Sequence, residues 1–322
     1  MNPLIQTKTR IVPLLITFVL GCSAFSPRTQ ARGSRASGTV KTLKLILLTF
    51  LIPIVAQAYT ALYVIGDSLS DTGNNALAAA DASYWHGHYS NGPMWPEMLS
   101  TLLGIKYSQA SNKAFAGSAT FDQTGYPGIM TQINTLPATI PSTALCVLWM
   151  GTNDLQYAFN LYWVPGEYAT IASQAMTNIS NAVGALYARG VRTLVVPNAY
   201  DVTITPNYHN YQVPYWQSYF LPKFSSNTTD FNSRLSTLLS NLQATYPAMT
   251  IIKVDTRGQL NNMFSHSSSY DLQSGYSIGW DDATFLSTND FWIGEKYFTW
   301  DGFHPTSKMQ RSIAAWIYNL VK

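Results

Sequence analysis

A serine hydroxyl is a weak nucleophile until a base takes its proton and nearby donors hold the negative charge that forms on the attacked oxygen. In LYVIGDSLSDTGNN, residues 62–75, an apolar run delivers Gly66, Asp67 and Ser68 to its carboxyl end. Ser68 therefore stands where a strand stops and a loop or helix begins. A Gly-Asp-Ser turn is common in itself, so its chemistry depends on partners. Of His86, His88, His209, His266 and His304, only His304 has an acid in a suitable arrangement: WDGFHPTSKMQ places Asp301 three residues before it, ahead of a C-terminal helix. A loop this short can fold a carboxylate back onto the imidazole, fix one tautomer and stabilise the imidazolium formed during attack. The same stretch also suits a plain helix start with Pro305 in the first turn. Two further stretches offer donors: LWMGTNDL ends an apolar run and opens into Asn153, and NKAFAGSAT holds Gly117, whose backbone N–H lies in a turn that lets another group approach closely. GYSIG, residues 275–279, fits a Gly-x-Ser-x-Gly elbow around Ser277, but no apolar strand precedes it and too little chain follows it.

These groups need a scaffold that brings distant segments to one edge. Continuous apolar runs of strand length recur at 61–65, 144–150, 193–197 and 249–254. Between them lie stretches with helical spacing at 168–187, 231–242 and 309–320, the last with Met309, Ile313, Trp316, Ile317 and Leu320 on one face. Strand runs without alternation, separated by amphipathic helices, predict an α/β fold with a parallel sheet covered on both sides, and such sheets bind ligands at the carboxyl ends of their strands. Ser68, Asn153 and Asn198 fall there. Segments 200–224 and 274–300 are rich in aromatic, Pro and Asn residues and carry no clean period, so they read as long ordered loops. Their aromatics either cap the core or wall an apolar substrate pocket.

GDSLSDTGN, NKAFAGSAT, GTND and DGFHPT together resemble the four blocks of the SGNH or GDSL lipase/esterase superfamily, in the family's order and across nearly all of residues 59–322. YSNGPMWPEML, RGVRTLVVPNAYDVTITP and FNSRLSTLL look like the bacterial branch that holds secreted phospholipases, lysophospholipases and acyltransferases. The resemblance implies a flavodoxin-like three-layer α/β/α sandwich with a mostly parallel sheet, the SGNH hydrolase fold. It implies Ser68 as nucleophile and as an oxyanion donor through its own N–H, Gly117 and Asn153 as the other donors, and Asp301 and His304 as the rest of a triad. Ala116 stands where this branch commonly has the first glycine of a pair, and Gly117 is assigned by counting from Asn112. The expected activity is a carboxylic ester hydrolase on lipid acyl esters, of phospholipase A or lysophospholipase type, with acyl transfer as a side reaction. The alternatives are a carbohydrate acetylesterase and a non-catalytic surface-binding protein on the same fold.

Composition narrows the classes. The chain of 322 residues is 47% hydrophobic and 11% charged, enough for a buried core. Its formal +3 is misleading, because residues 1–58 hold seven Lys or Arg and no acid, leaving 12 basic against 16 acidic residues beyond them. A nucleic-acid partner is therefore not expected. Residues 41–58 have a signal-peptide layout, with Lys41 and Lys44, the apolar LILLTFLIPIV and a small-x-small AQA. This predicts a leader over 1–58, with the signal at 40–58 and 1–39 as an upstream extension. A single domain over 59–322 follows, starting at Tyr59 and secreted or periplasmic. Cys22, after VLG, offers a lipoprotein reading instead. His86 and His88 lack a matching carboxylate or Cys cluster, so neither metal nor organic cofactor is expected. The expected partners are an ester substrate and transient contact with a membrane surface, while the oligomeric state is not indicated.

Overall fold

Runs of Leu, Val, Ile and Trp become strands here because every one of their side chains has a core to enter. In the computed structural model, β1 (Leu62–Gly66), β2 (Leu145–Trp149), β3 (Thr193–Pro197) and β4 (Thr250–Val254) pair in parallel in the spatial order β1-β2-β3-β4. Successive residues enter opposite faces: Val64, Val147 and Trp149 join one apolar core, while Ile65, Cys146, Leu148 and Leu194 join the other. Two-sided burial explains why β1, β2 and β3 show no apolar–polar alternation, while β4 at the sheet edge leaves Thr250 and Lys253 exposed. Described are residues 58–160, 166–209, 216–273 and 276–322. Cys22, the upstream extension and nearly all of the signal segment lie outside them, as does Gly275.

The connecting helices are α1 (Ala76–Ala80), α2 (Trp95–Leu102), α3 (Ile129–Asn134), α4 (Thr152–Asn160), α5 (Glu167–Ala188), α6 (Pro206–His209), α7 (Leu221–Thr245), α8 (Thr256–Ser265), α9 (Ala283–Thr288) and α10 (Ser307–Val321). α2, α8 and α10 supply Trp95, Leu99, Leu260, Met309, Ile313 and Ile317 to the first core. α3, α5 and α7 supply Ile129, Ile133, Ile179, Val183, Leu235 and Leu239 to the second. The result is the expected three-layer α/β/α arrangement. Each such side chain removed from water contributes roughly 1.5–3 kcal/mol.

Three details differ from the sequence pattern. Leu320 is half exposed and Val321 is buried in its place, because the apolar stripe drifts around α10. α7 begins ten residues before the periodic stretch 231–242; Pro222 is tolerated in its first turn, where no intrahelical N–H is needed. The aperiodic segments are not extended loops but strings of short helical turns, at 202–204, 206–209 and 216–220, and again at 279–281, 283–288 and 291–296.

The sheet edges are finished differently. Beyond β1, residues 112–115 run parallel to it, with Lys113 N–H donating to Val64 O (2.8 Å) and Phe115 N–H to Gly66 O (3.1 Å). Beyond β4, a side chain from α7 takes the place of a neighbouring strand. Gln243 accepts from Ile251 N–H (2.8 Å) and donates to Met249 O (2.7 Å).

Candidate active site

Ser68 lies two residues past the end of β1, in a turn closed by Ser70 N–H on Asp67 O (3.0 Å). The first helix after it starts only at Ala76, so the intervening residues are free to do other work. They lace the Gly117 turn to β1. Asp71 accepts from the backbone N–H of Gly73, Asn74, Asn75 and, at 2.8 Å, Ala116. Asn74 donates to the carbonyls of Asn112 and Ala114, and Asn75 to that of Ala116. From the other side, Asp154 in the first turn of α4 accepts from Thr120 N–H (3.0 Å) and Thr120 Oγ1 (2.5 Å). Gly117 is thus suspended between two anchored ends. Its φ of +86° favours glycine, and a Cβ there would lie 2.5 Å from the Tyr126 ring, which would have to move aside.

The Ser68 and Gly117 backbone N–H groups meet no acceptor among the described residues. Asn153, just inside α4, uses one Nδ2 hydrogen on Ser118 O (2.9 Å) and keeps the second. That set of donors is what an oxyanion needs.

The acid–base side comes from the loop before α10. Asp301 is buried, and its Oδ2 meets His304 Nδ1 at 2.5 Å, while its Oδ1 accepts the backbone N–H of Phe303 (2.7 Å) and His304 (2.5 Å). Tyr84 donates to the same Oδ2 at 2.6 Å. Burial pushes this carboxyl up, but the His304 charge, its ring N–H, the Tyr84 hydroxyl and the backbone together hold it below the ordinary value. An ionised Asp301 keeps the proton on Nδ1 and leaves Nε2 as the basic nitrogen. Pro305 precedes the Thr306 cap rather than sitting in the first turn of α10, so the strict spacing serves the Asp301–His304 pair.

Ser68, Gly117, Asn153, Asp301 and His304 all line one cavity of about 440 Å³. No hydrogen bond joins Ser68 directly to His304; contacts of this kind commonly tighten only when substrate is bound. Asn198, also at a strand end, is engaged with Asp255 and the start of α8 and lines a different cavity. Ser277 is exposed and lines a separate hollow with Tyr276 and Asp282. His88 pairs with Glu97 at 3.1 Å.

Three acids near the site carry roles that motif spacing does not reveal. Asp67 is buried, with Oδ1 accepting from Leu69 N–H and Oδ2 unpartnered; burial raises it to about 7, against the Leu69 bond and the nearby His304 charge. Asp154 is raised to about 6 by burial, against its bonds from Thr120. Asp71 is also raised by burial, against its backbone bonds. Tyr84 has no local signal at all, since its partner lies 217 residues away.

Comparison with known proteins places the chain in a family. A family model described as GDSL-like Lipase/Acylhydrolase matches residues 62–317. A GDSL esterase/lipase of Arabidopsis thaliana is 22% identical over 367 residues, covering 88% of this chain and 93% of its own. Lipase 1 of Photorhabdus luminescens is 29% identical over 160 residues, covering 47% of this chain and 24% of its own. Among solved structures, an acetylxylan esterase from Geobacillus stearothermophilus is similar at a TM-score of 0.45 and 14% identity, covering 82% of this chain and 96% of its own. With the match running from the first strand to the last helix, the chain belongs to the GDSL-like lipase/acylhydrolase family of carboxylic ester hydrolases.

Proposed function

We propose that this protein hydrolyses lipid acyl esters through an acyl-enzyme on Ser68. Ser68 Oγ attacks the ester carbonyl as His304 Nε2 takes its proton, and the C–O bond that forms drives the carbonyl oxygen to an oxyanion. The amides of Ser68 and Gly117 and the carboxamide of Asn153 hold that charge. Losing one such donor costs about 3 kcal/mol of barrier, on the order of a hundredfold in rate. The protonated His304 then gives its proton to the leaving alkoxide, and water repeats the sequence on the acyl-enzyme. An alcohol in place of water would give acyl transfer.

The observation that carries this reading is the convergence of five residues from four separated blocks on one cavity, with the Asp301–His304 bond already made. The lipid part rests on the apolar wall given by Leu77, Tyr126, Ile278 and Phe303, and on the sequence resemblance to secreted phospholipases and lysophospholipases. A carbohydrate acetylester is the second reading, favoured by the Gln156 and Asn207 carboxamides in the same wall. Labelling with a fluorophosphonate, followed by peptide mass spectrometry, is expected to modify Ser68. Ser68→Ala should abolish labelling and turnover, and Ser277→Ala should leave both. Loss only in Ser277→Ala overturns the assignment. Relative turnover of lipid esters (a monoacylglycerol and a lysophospholipid) and of an acetylated xylan separates the two substrate readings. Export through residues 40–58 belongs to the same proposal, and an exported protein whose amino terminus is not Tyr59 refutes that part.

A further inference from the structure

The cavity that holds Ser68 has a distinctive charge. Apart from His304 and the phenols of Tyr84, Tyr89 and Tyr126, the ionisable group in its described wall is the buried carboxylate Asp301, with Asp67 close enough to feel the His304 charge. The remaining polar wall is neutral. The side chains of Gln156 and Asn207 reach it with no hydrogen-bond partner among the described residues, and so bring both donors and acceptors to a ligand. The described arginines are committed elsewhere: Arg257 to Asp201, Arg234 to Asp230, Arg311 to Glu295, and Arg189 and Arg192 to carbonyl and carboxamide oxygens. Among the described residues no Lys or Arg is in the cavity wall, and segments 161–165, 210–215 and 274–275 contain neither in their sequence.

We propose, resting on the ester-hydrolase reading above, that this site selects esters whose alcohol part is uncharged and carries hydroxyl groups. It discriminates against a phosphate beside the scissile ester. A phosphate there would need an Arg or Lys partner to replace its hydration, and would set a further negative charge beside the forming oxyanion, where the one cation is the His304 imidazolium already paired with Asp301. A free hydroxyl needs only a donor or acceptor, which the two carboxamides supply. Glycerol or sugar hydroxyls satisfy this equally, so the inference orders lipids by headgroup charge.

The test compares 1-monoacylglycerol with 1-acylglycerol 3-phosphate of the same acyl chain, both in neutral detergent micelles. The neutral ester is expected to have kcat/KM about tenfold higher or more. In Asn207→Lys, which puts a cation into the wall, the ratio should narrow several-fold. Equal turnover of the two lipids, or preference for the phosphate, overturns the inference. A ratio unchanged in Asn207→Lys also overturns it, by placing the discrimination outside this wall. p-Nitrophenyl acetate, which has no such headgroup, keeps the two readings apart. Turnover of it with equal lipid rates defeats only the headgroup inference, whereas failure to turn over any ester, with Ser68 unlabelled, defeats the hydrolase reading.

Discussion

Tyr84 and His304 share one carboxylate oxygen of Asp301, at 2.6 and 2.5 Å. The tyrosine therefore acts on the base through the acid. Its loop is tied to the same region by Trp300 Nε1–H on Ser83 O (2.8 Å), and Tyr89 in that loop lays its ring 4.9 Å from the imidazole. In Tyr84→Phe, Asp301 loses a donor, becomes the more basic acceptor and stabilises the imidazolium more. The acidic limb of the kcat/KM profile on a soluble ester should then move to higher pH; separately, Asp301 held by one donor fewer orients the imidazole less firmly, and that loss of alignment should lower kcat about tenfold with KM little changed. In an Asp301→Asn background the same substitution should have almost no effect. An unmoved profile would mean that the ring only packs. Ser68, Gly117, Asn153, Asp301 and His304 are marked in the sequence as candidates, which the fold brings to one cavity, because each belongs to a short contiguous block whose residue types suit one task. Tyr84 is not, because nothing in an aperiodic stretch indicates a partner more than two hundred positions away.

The four blocks gain their physical meaning at the level of elements. The stretch 71–75 is a clamp on the Gly117 turn, and Asp154 is the opposing clamp from α4. Asp71→Ala would release the Ala116 N–H and the peptide next to Gly117, the proposed oxyanion donor. It should lower kcat by about ten- to a hundredfold while KM changes less, because a donor that wanders harms the transition state more than the bound ester. Steady-state kinetics on a soluble ester, with circular dichroism as a check on folding, reads this out. Strands were legible to within about a residue, since a run of five or six apolar side chains has few other uses in a domain of this size. Segments 200–224 and 274–300 were not. Their turns are set by aromatic packing such as Phe285 against Trp300 and Phe159 against Phe224, which leaves no period in the chain.

For the molecule as a whole, the cost of the site shows in its pH dependence. Asp67 keeps its proton in the folded chain up to about pH 7, whereas a solvated aspartate releases it near 3.8. The folded state binds more protons between those values, so this residue lowers stability as pH rises through that window; Asp154, raised to about 6, acts in the same direction. Asp301 works oppositely: its depressed carboxyl contributes stability that is present above the ordinary aspartate range and lost as pH falls through its folded value. Asp67→Asn, which removes a buried charge whose Oδ2 has no partner, should therefore raise Tm by several degrees at pH 8 and by little at pH 4, measured by calorimetry. A gain of equal size at both pH values would show that shape, and not charge, limits the wild type.

The carboxamide of Gln243 has a consequence for solubility that reaches beyond this fold's interior. A parallel sheet whose last strand ends in open N–H and C=O groups invites a second chain to continue it, the first step toward fibres. By occupying Ile251 N–H and Met249 O from a helix, Gln243 denies a newcomer its first two rungs, and Lys253, fastened to Ser236 and Ser240, adds a charge where the third would form.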